Sequence, residues 1–194
     1  MTAPIVVLAG PPGAGKSTTA RSYAQSLPLA VHLHTDDFWH MIVAGSIPPY
    51  LPESDAQNQT VLGVIRAAAE AYARGGFTVV VDGIVGPWML RHFDDVAVPL
   101  HYIVLRPSRA EALRRAQART AADALVDEGP ILSMWDQLAD LGSLEGHAID
   151  TTDQTPAQTL TRVQEAVESG TFSWAAKPSA VPPRPGRSSF GQSG

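Results

Sequence analysis

Gly10-Pro11-Pro12-Gly13-Ala14-Gly15-Lys16-Ser17 is a complete G-x-x-x-x-G-K-S run, set between the apolar stretch Ile5-Val6-Val7-Leu8-Ala9 and a helix-compatible segment opening at Thr18. A loop of this composition turns tightly around an anion with its N–H groups pointing inward, and the helix after it offers the positive end of its dipole to the same anion. Pro12, Gly13, Ala14, Gly15, Lys16, Ser17 and Thr18 are therefore expected to surround nucleotide phosphates. Lys16 supplies a charge that reaches the outer phosphates, and the Ser17 hydroxyl is placed to hold Mg²⁺.

The rest of the chain is what such a loop needs around it. Its 194 residues fit one domain with a sizeable core, and 44% hydrophobic with 17% charged residues is ordinary globular composition. A net charge of −5 with 14 basic residues argues against nucleic acid or an anionic membrane as partner, since either calls for clustered Lys and Arg. The absence of cysteine removes disulfides and thiolate metal sites and suits a reducing cytoplasm, where the chain is expected to act. No apolar run approaches the ~18 residues of a membrane span.

Apolar runs alternate with helical patterns along the chain. Strands are expected at 5–9, 29–34, 77–81, 101–105 and 147–149, and helices at 18–27, 38–44, 53–74, 108–122, 130–141 and 155–168. Parallel neighbours need crossover connections, so this order predicts an α/β fold of the P-loop NTPase type. Its sheet has five mostly parallel strands, with helices on both faces and a short Arg-rich lid. Residues 1–170 form the predicted domain; 171–194, rich in Pro, Ser and Gly, are expected to be a poorly ordered tail.

In an open parallel sheet the ligand sits beyond the carboxyl ends of the strands. Asp36 and Asp37 close the second strand and Asp82 the third. A phosphoryl acceptor hydroxyl needs a carboxylate to orient it and take its proton, and an Mg²⁺ shell needs another, often through water. Asp36 is assigned as base and Asp82 as metal-shell ligand. The competing reading is a helix cap, and the split adopted gives that role to Asp37. Gly83 stands where nucleotide-hydrolysing proteins commonly place a water-polarising glutamate, which disfavours hydrolysis as the main task. The segment from Leu105 through Arg119 holds five arginines. Arg115 and Arg119, four apart, are expected on one helical face turned toward the phosphates, against the alternative that Glu111 simply pairs with Arg115.

These features together resemble small P-loop kinases of the chloramphenicol phosphotransferase, zeta toxin and polynucleotide kinase type, over about residues 4–169. The resemblance implies ATP and Mg²⁺ as cofactors, Asp36 as acceptor-side base, Ser17 as Mg²⁺ ligand, and Lys16, Arg115 and Arg119 as the phosphate-holding cations. It also matches Arg106 to a strand-end arginine and Asp150-Thr151-Thr152 to the loop lying against the adenine. The acceptor region departs from the pattern at Phe38-Trp39-His40 and at 47–59.

Phe38, Trp39, Tyr50 and Trp88 make the expected acceptor cleft aromatic, and only Arg66 and Arg74 are basic between Asp36 and Asp82. An anionic acceptor calls for two or more cations. The expected substrate is accordingly a small, neutral, partly apolar hydroxyl compound such as an antibiotic or secondary metabolite. A kinase of polynucleotide ends or sugars, and a nucleotide-binding module without catalysis, are the alternatives. His32 and His34 share a strand face with no third ligand at metal spacing, so packing is their expected role.

Overall fold

The computed structural model describes residues 2–120 and 125–174. Five parallel strands run in the order β2-β3-β1-β4-β5: β1 Ile5–Ala9, β2 Ala30–His34, β3 Thr78–Gly83, β4 Leu100–Leu105 and β5 Ala148–Ile149. The inner strands are largely apolar because both of their faces are covered, Asp82 in β3 and His101 in β4 being buried polar exceptions. Ile5, Val7, Ala9, Val79, Val81, Tyr102 and Val104 point to one core, and Val6, Leu8, Val80, Ile103 and Leu105 to the other.

Helix α3 (Asp55–Arg74) closes the first core, with α2 (Thr35–His40) packed on its partly buried edge. Helices α1 (Lys16–Gln25) and α6 (Pro156–Ser169) close the second. Helix α6 opens on a full capping box, in which Thr155 and Gln158 satisfy each other's backbone N–H, and ends at Gly170 with φ 69°. None of the helices among the described residues is long and apolar enough to cross a membrane.

Four details differ from the sequence expectation. A sixth strand, β6 (Ser173–Trp174), pairs antiparallel with Leu100 and His101, within the stretch assigned to the tail; residues 175–194 of that tail lie outside the described residues. Helix α4 spans only Arg109–Gln117, leaving Arg119 beyond its C-cap. Helix α5 (Glu128–Asp136) begins two residues before Pro130, which its first turn accommodates because the N–H that proline lacks has no intrahelical acceptor there. Helix α2 starts at Thr35, directly where β2 leaves the sheet, so Asp36 and Asp37 sit inside its first turn and Asp37 is not the cap. The β2–β3 ladder ends at the pair His34 and Asp82, and Thr35 turns out of the sheet into the space beside Gly83.

His101, 8% exposed in β4, has no hydrogen-bond partner for Nδ1 among the described residues. Burial lowers its pKa below the ordinary value, so below about pH 6.5 the unfolded chain binds a proton that the folded chain resists. This contribution to stability is lost as pH falls through the unfolded value. His101→Leu is expected to lose less melting temperature than the parent between about pH 7.5 and about pH 5.5. The comparison is a difference because His34, whose pKa is raised, works in the opposite sense. Equal losses in both proteins would refute it.

Candidate active site

The phosphate-binding loop leaves β1 at the middle of the sheet, between β3 and β4, where neighbouring connections diverge to opposite faces and a crevice opens. Gly15 has no side chain to cap α1, and the first turn of α1 contains no acidic residue. The free N–H groups of that turn and the helix dipole are thus left for an external anion. Gly13 has φ 79°, and a side chain there would meet the Ala112 carbonyl oxygen at 2.1 Å. Helix α4 therefore lies directly against the loop, with Ala112 and Ala116 fully buried at the contact. The helix read from the sequence as an Arg-rich lid thus forms one wall of the loop in this structure.

Lys16 Nζ donates to the Pro11 carbonyl at 3.0 Å. Burial pushes its pKa down to about 8, opposed by Asp82 and Asp36 and reinforced by Arg119. Those influences bring Asp36 and Arg119 within electrostatic range of the phosphate loop. Arg119 is exposed and makes no ion pair among the described residues.

Arg115 is differently engaged. Its Nε donates to Glu111 at 2.6 Å and its terminal nitrogen to the Thr151 and Thr152 carbonyls at 3.0 and 2.8 Å. The pairing with Glu111 is the alternative weighed above, and the shared helical face is absent because α4 ends before Arg119. Arg106 is likewise structural, donating to Glu145 and to the Leu138 and Ala139 carbonyls.

Asp82 is fully buried at the end of β3. Ser17 Oγ donates to its Oδ2 at 2.6 Å, His32 Nε2 to its Oδ1 at 2.5 Å, and His34 Nδ1 lies 3.1 and 3.2 Å from the two oxygens. Burial alone would raise this carboxyl's pKa; the donors His32, His34 and Ser17 outweigh it and hold the group well below the usual carboxylate range. The histidines, assigned above to packing, are thus part of the site. Their shared face was visible in the sequence, but not that β3 would bring Asp82 beside it.

The donor set fits a magnesium ion. Ser17 donates a hydrogen bond to Asp82 and keeps oxygen lone pairs for a cation, and the Asp82 carboxylate lies beside it, which suits an ion that retains several waters. No group of three or more His, Asp or Glu side chains among the described residues forms a metal cage.

Asp36, in the first turn of α2, is 65% exposed, with its Oδ2 3.6 Å from His34 Nε2. Thr35, buried, fills the space beside Gly83, where an added side chain would meet Thr35 Oγ1 at 2.0 Å. The missing glutamate after Asp82 therefore has a steric reason: α2 begins where that side chain would go. Tyr102 Oη donates to the Val85 carbonyl at 2.8 Å, fixing the loop after β3, and the Trp88 ring covers Gly86.

Phe38, Trp39 and Trp88 are half-buried against the first core, whereas Tyr50 is 58% exposed. Two residues that sequence reasoning missed hold this wall together. Gln57 bonds both backbone groups of Ile47, at 2.7 and 2.9 Å. Asn58 accepts from Trp39 Nε1 and donates to the Pro49 carbonyl, both at 2.8 Å. Their signal was a polar pair in the first turn of a helix otherwise rich in alanine.

Beyond β4 and β5 lies a cavity of about 300 Å³ lined in part by Arg106, Trp135, Asp150 and Thr152. Asp150 Oδ1 accepts from the Thr152 backbone and hydroxyl, which organises the loop assigned to adenine. The Thr151 side chain turns fully inward, leaving its carbonyl as the group used, by Arg115.

The family profile described as an AAA domain matches residues 5–141. No curated protein matches the sequence. Among solved structures the chain is similar to a sugar kinase from Janibacter sp. HTCC2649 at 20% identity and TM-score 0.68, over 87% of this chain and 95% of that one. A tunicamycin resistance protein from Deinococcus radiodurans is 17% identical with TM-score 0.65, over 90% and 99% of the two chains. Shikimate kinase from Acinetobacter baumannii is 19% identical with TM-score 0.59, over 87% and 94%.

Proposed function

The chain belongs to the AAA-domain family, with a P-loop kinase-like fold, and from that premise we propose that it is an ATP-dependent phosphotransferase acting on a hydroxyl of a small, neutral, partly apolar acceptor. The observation that carries the proposal is Asp36, an open carboxylate within range of Lys16 and separated from the Ser17–Asp82 pair by one histidine. Asp36 accepts the acceptor's proton as its oxygen bonds to the γ-phosphorus, and the bond from that phosphorus to the β–γ bridging oxygen breaks to leave ADP. Lys16 and Arg119 offset charge on the transferring group. Ser17 and Asp82 would hold Mg²⁺, which neutralises phosphate charge when bound. The half-buried aromatic wall and the scarcity of cations along it favour a neutral acceptor over an acidic one.

The test supplies the full chain with γ-labelled ATP, Mg²⁺ and a panel of neutral hydroxyl antibiotics and metabolites, acidic sugars and a 5′-hydroxyl oligonucleotide. Label is expected on a neutral compound. Preference for an acidic sugar or the oligonucleotide would overturn the acceptor class. ATP binding without transfer to any member of the panel would favour a non-catalytic module.

A further inference from the structure

The two carboxylates of the proposed reaction stand on different elements, Asp36 in the first turn of α2 and Asp82 at the end of β3. One side chain spans them. His34, the last residue of β2, places Nδ1 3.1 and 3.2 Å from the two Asp82 oxygens and Nε2 3.6 Å from Asp36 Oδ2. Asp82 does not need this ring to be satisfied, because His32 already donates to one of its oxygens and Ser17 to the other. What separates His34 from His32 is its reach to Asp36. Asp36 is exposed on a helix of six residues, and no other basic side chain among the described residues forms an ion pair with it.

We propose that His34 is a positioning residue that couples the acceptor-side carboxylate, Asp36, to the nucleotide-side carboxylate, Asp82. The series Asp36, His34, Asp82, Ser17 then leads from α2 to the start of α1, by an ion-pair contact of 3.6 Å at its first step and hydrogen bonds at the other two. A carboxylate that takes a proton from a bound hydroxyl must hold one orientation, and a rigid ring anchored on a buried, fully bonded group supplies it. This inference rests on the phosphotransferase reading.

Two measurements on the full chain test it. In histidine side-chain ¹H–¹⁵N spectra, which need no nucleotide, Asp36→Asn is expected to move the His34 Nε2 resonance and leave His101, at the other end of the strands, in place. An unmoved His34 resonance overturns the coupling.

The second measurement is ATP turnover with water as acceptor. His34→Asn keeps a nitrogen where Nδ1 stood and loses the reach to Asp36; His34→Gln keeps a nitrogen nearer to Nε2. His34→Asn is expected to lower kcat roughly ten- to a hundredfold with KM for MgATP within about twofold, and His34→Gln to recover part of the loss. Equal activity in both variants, or a parallel fall in kcat, nucleotide affinity and melting temperature, overturns it by showing no separate role or a merely structural one. Failure of the parent chain to bind a fluorescent ATP analogue with Mg²⁺ would instead remove the phosphotransferase reading, with the spectra still deciding the coupling.

Discussion

Asp36→Asn is expected to leave MgATP binding within about twofold and to lower phosphoryl transfer about a hundredfold or more. The side chain is 65% exposed and its only ion-pair partner among the described residues is His34, so the substitution leaves no buried group stranded. Its structural cost is the favourable placement of a carboxylate in the first turn of α2, worth ~0.3–1 kcal/mol. Asparagine keeps the shape and loses the capacity to accept a proton, which separates chemistry from binding. Label transfer and equilibrium binding of a fluorescent ATP analogue measure the two. Transfer at the parent rate would assign Asp36 to helix stability and place the base elsewhere.

Lys16→Met is expected to weaken nucleotide binding while the free protein melts at the same temperature or higher. Methionine keeps most of the aliphatic stem and removes the ammonium. That ammonium is held in an environment that lowers its pKa to about 8, so in the free protein its charge is carried against the preference of its surroundings. Without nucleotide it makes a hydrogen bond to the Pro11 carbonyl, and polyphosphate offers a far stronger partner. Charge-assisted hydrogen bonds contribute about 1.5–3 kcal/mol, so loss of the contact weakens binding roughly ten- to a hundredfold. Calorimetric titration with MgATP and a thermal melt of the same sample measure both halves. Unchanged affinity would remove the phosphate-loop lysine from the binding account.

The sheet and its phosphate loop were legible because their signals are local. Each buried strand is a short apolar run, and the loop is eight contiguous residues with a strand before it and a helix after it. What stayed hidden depends on register between distant segments. His32 and His34 read as strand packing until β3 sets Asp82 beside them. Helix α2 begins three residues earlier than its pattern suggests because Thr35 needs the space that Gly83 leaves open. The end of α4 at Gln117 separates Arg115 from Arg119, which helical spacing alone would have kept together. Strand β6 has two residues and no pattern of its own; its existence follows from the edge of β4 that it covers.

The fastening of residues 47–49 to Gln57 and Asn58 separates what must persist in this protein from what is free to drift. Most of the excursion from Met41 to Glu53 is exposed, and Ile42 is its contribution to the packing of the first core. Because the bonds from α3 to Ile47 and Pro49 meet backbone atoms, they read no side-chain identity in the segment they hold. Replacement of the exposed side chains in this segment changes the surface beside α2 without touching the strands or the phosphate loop. The segment's course is in this way set by α3, while its side chains are left to vary independently of the phosphate loop.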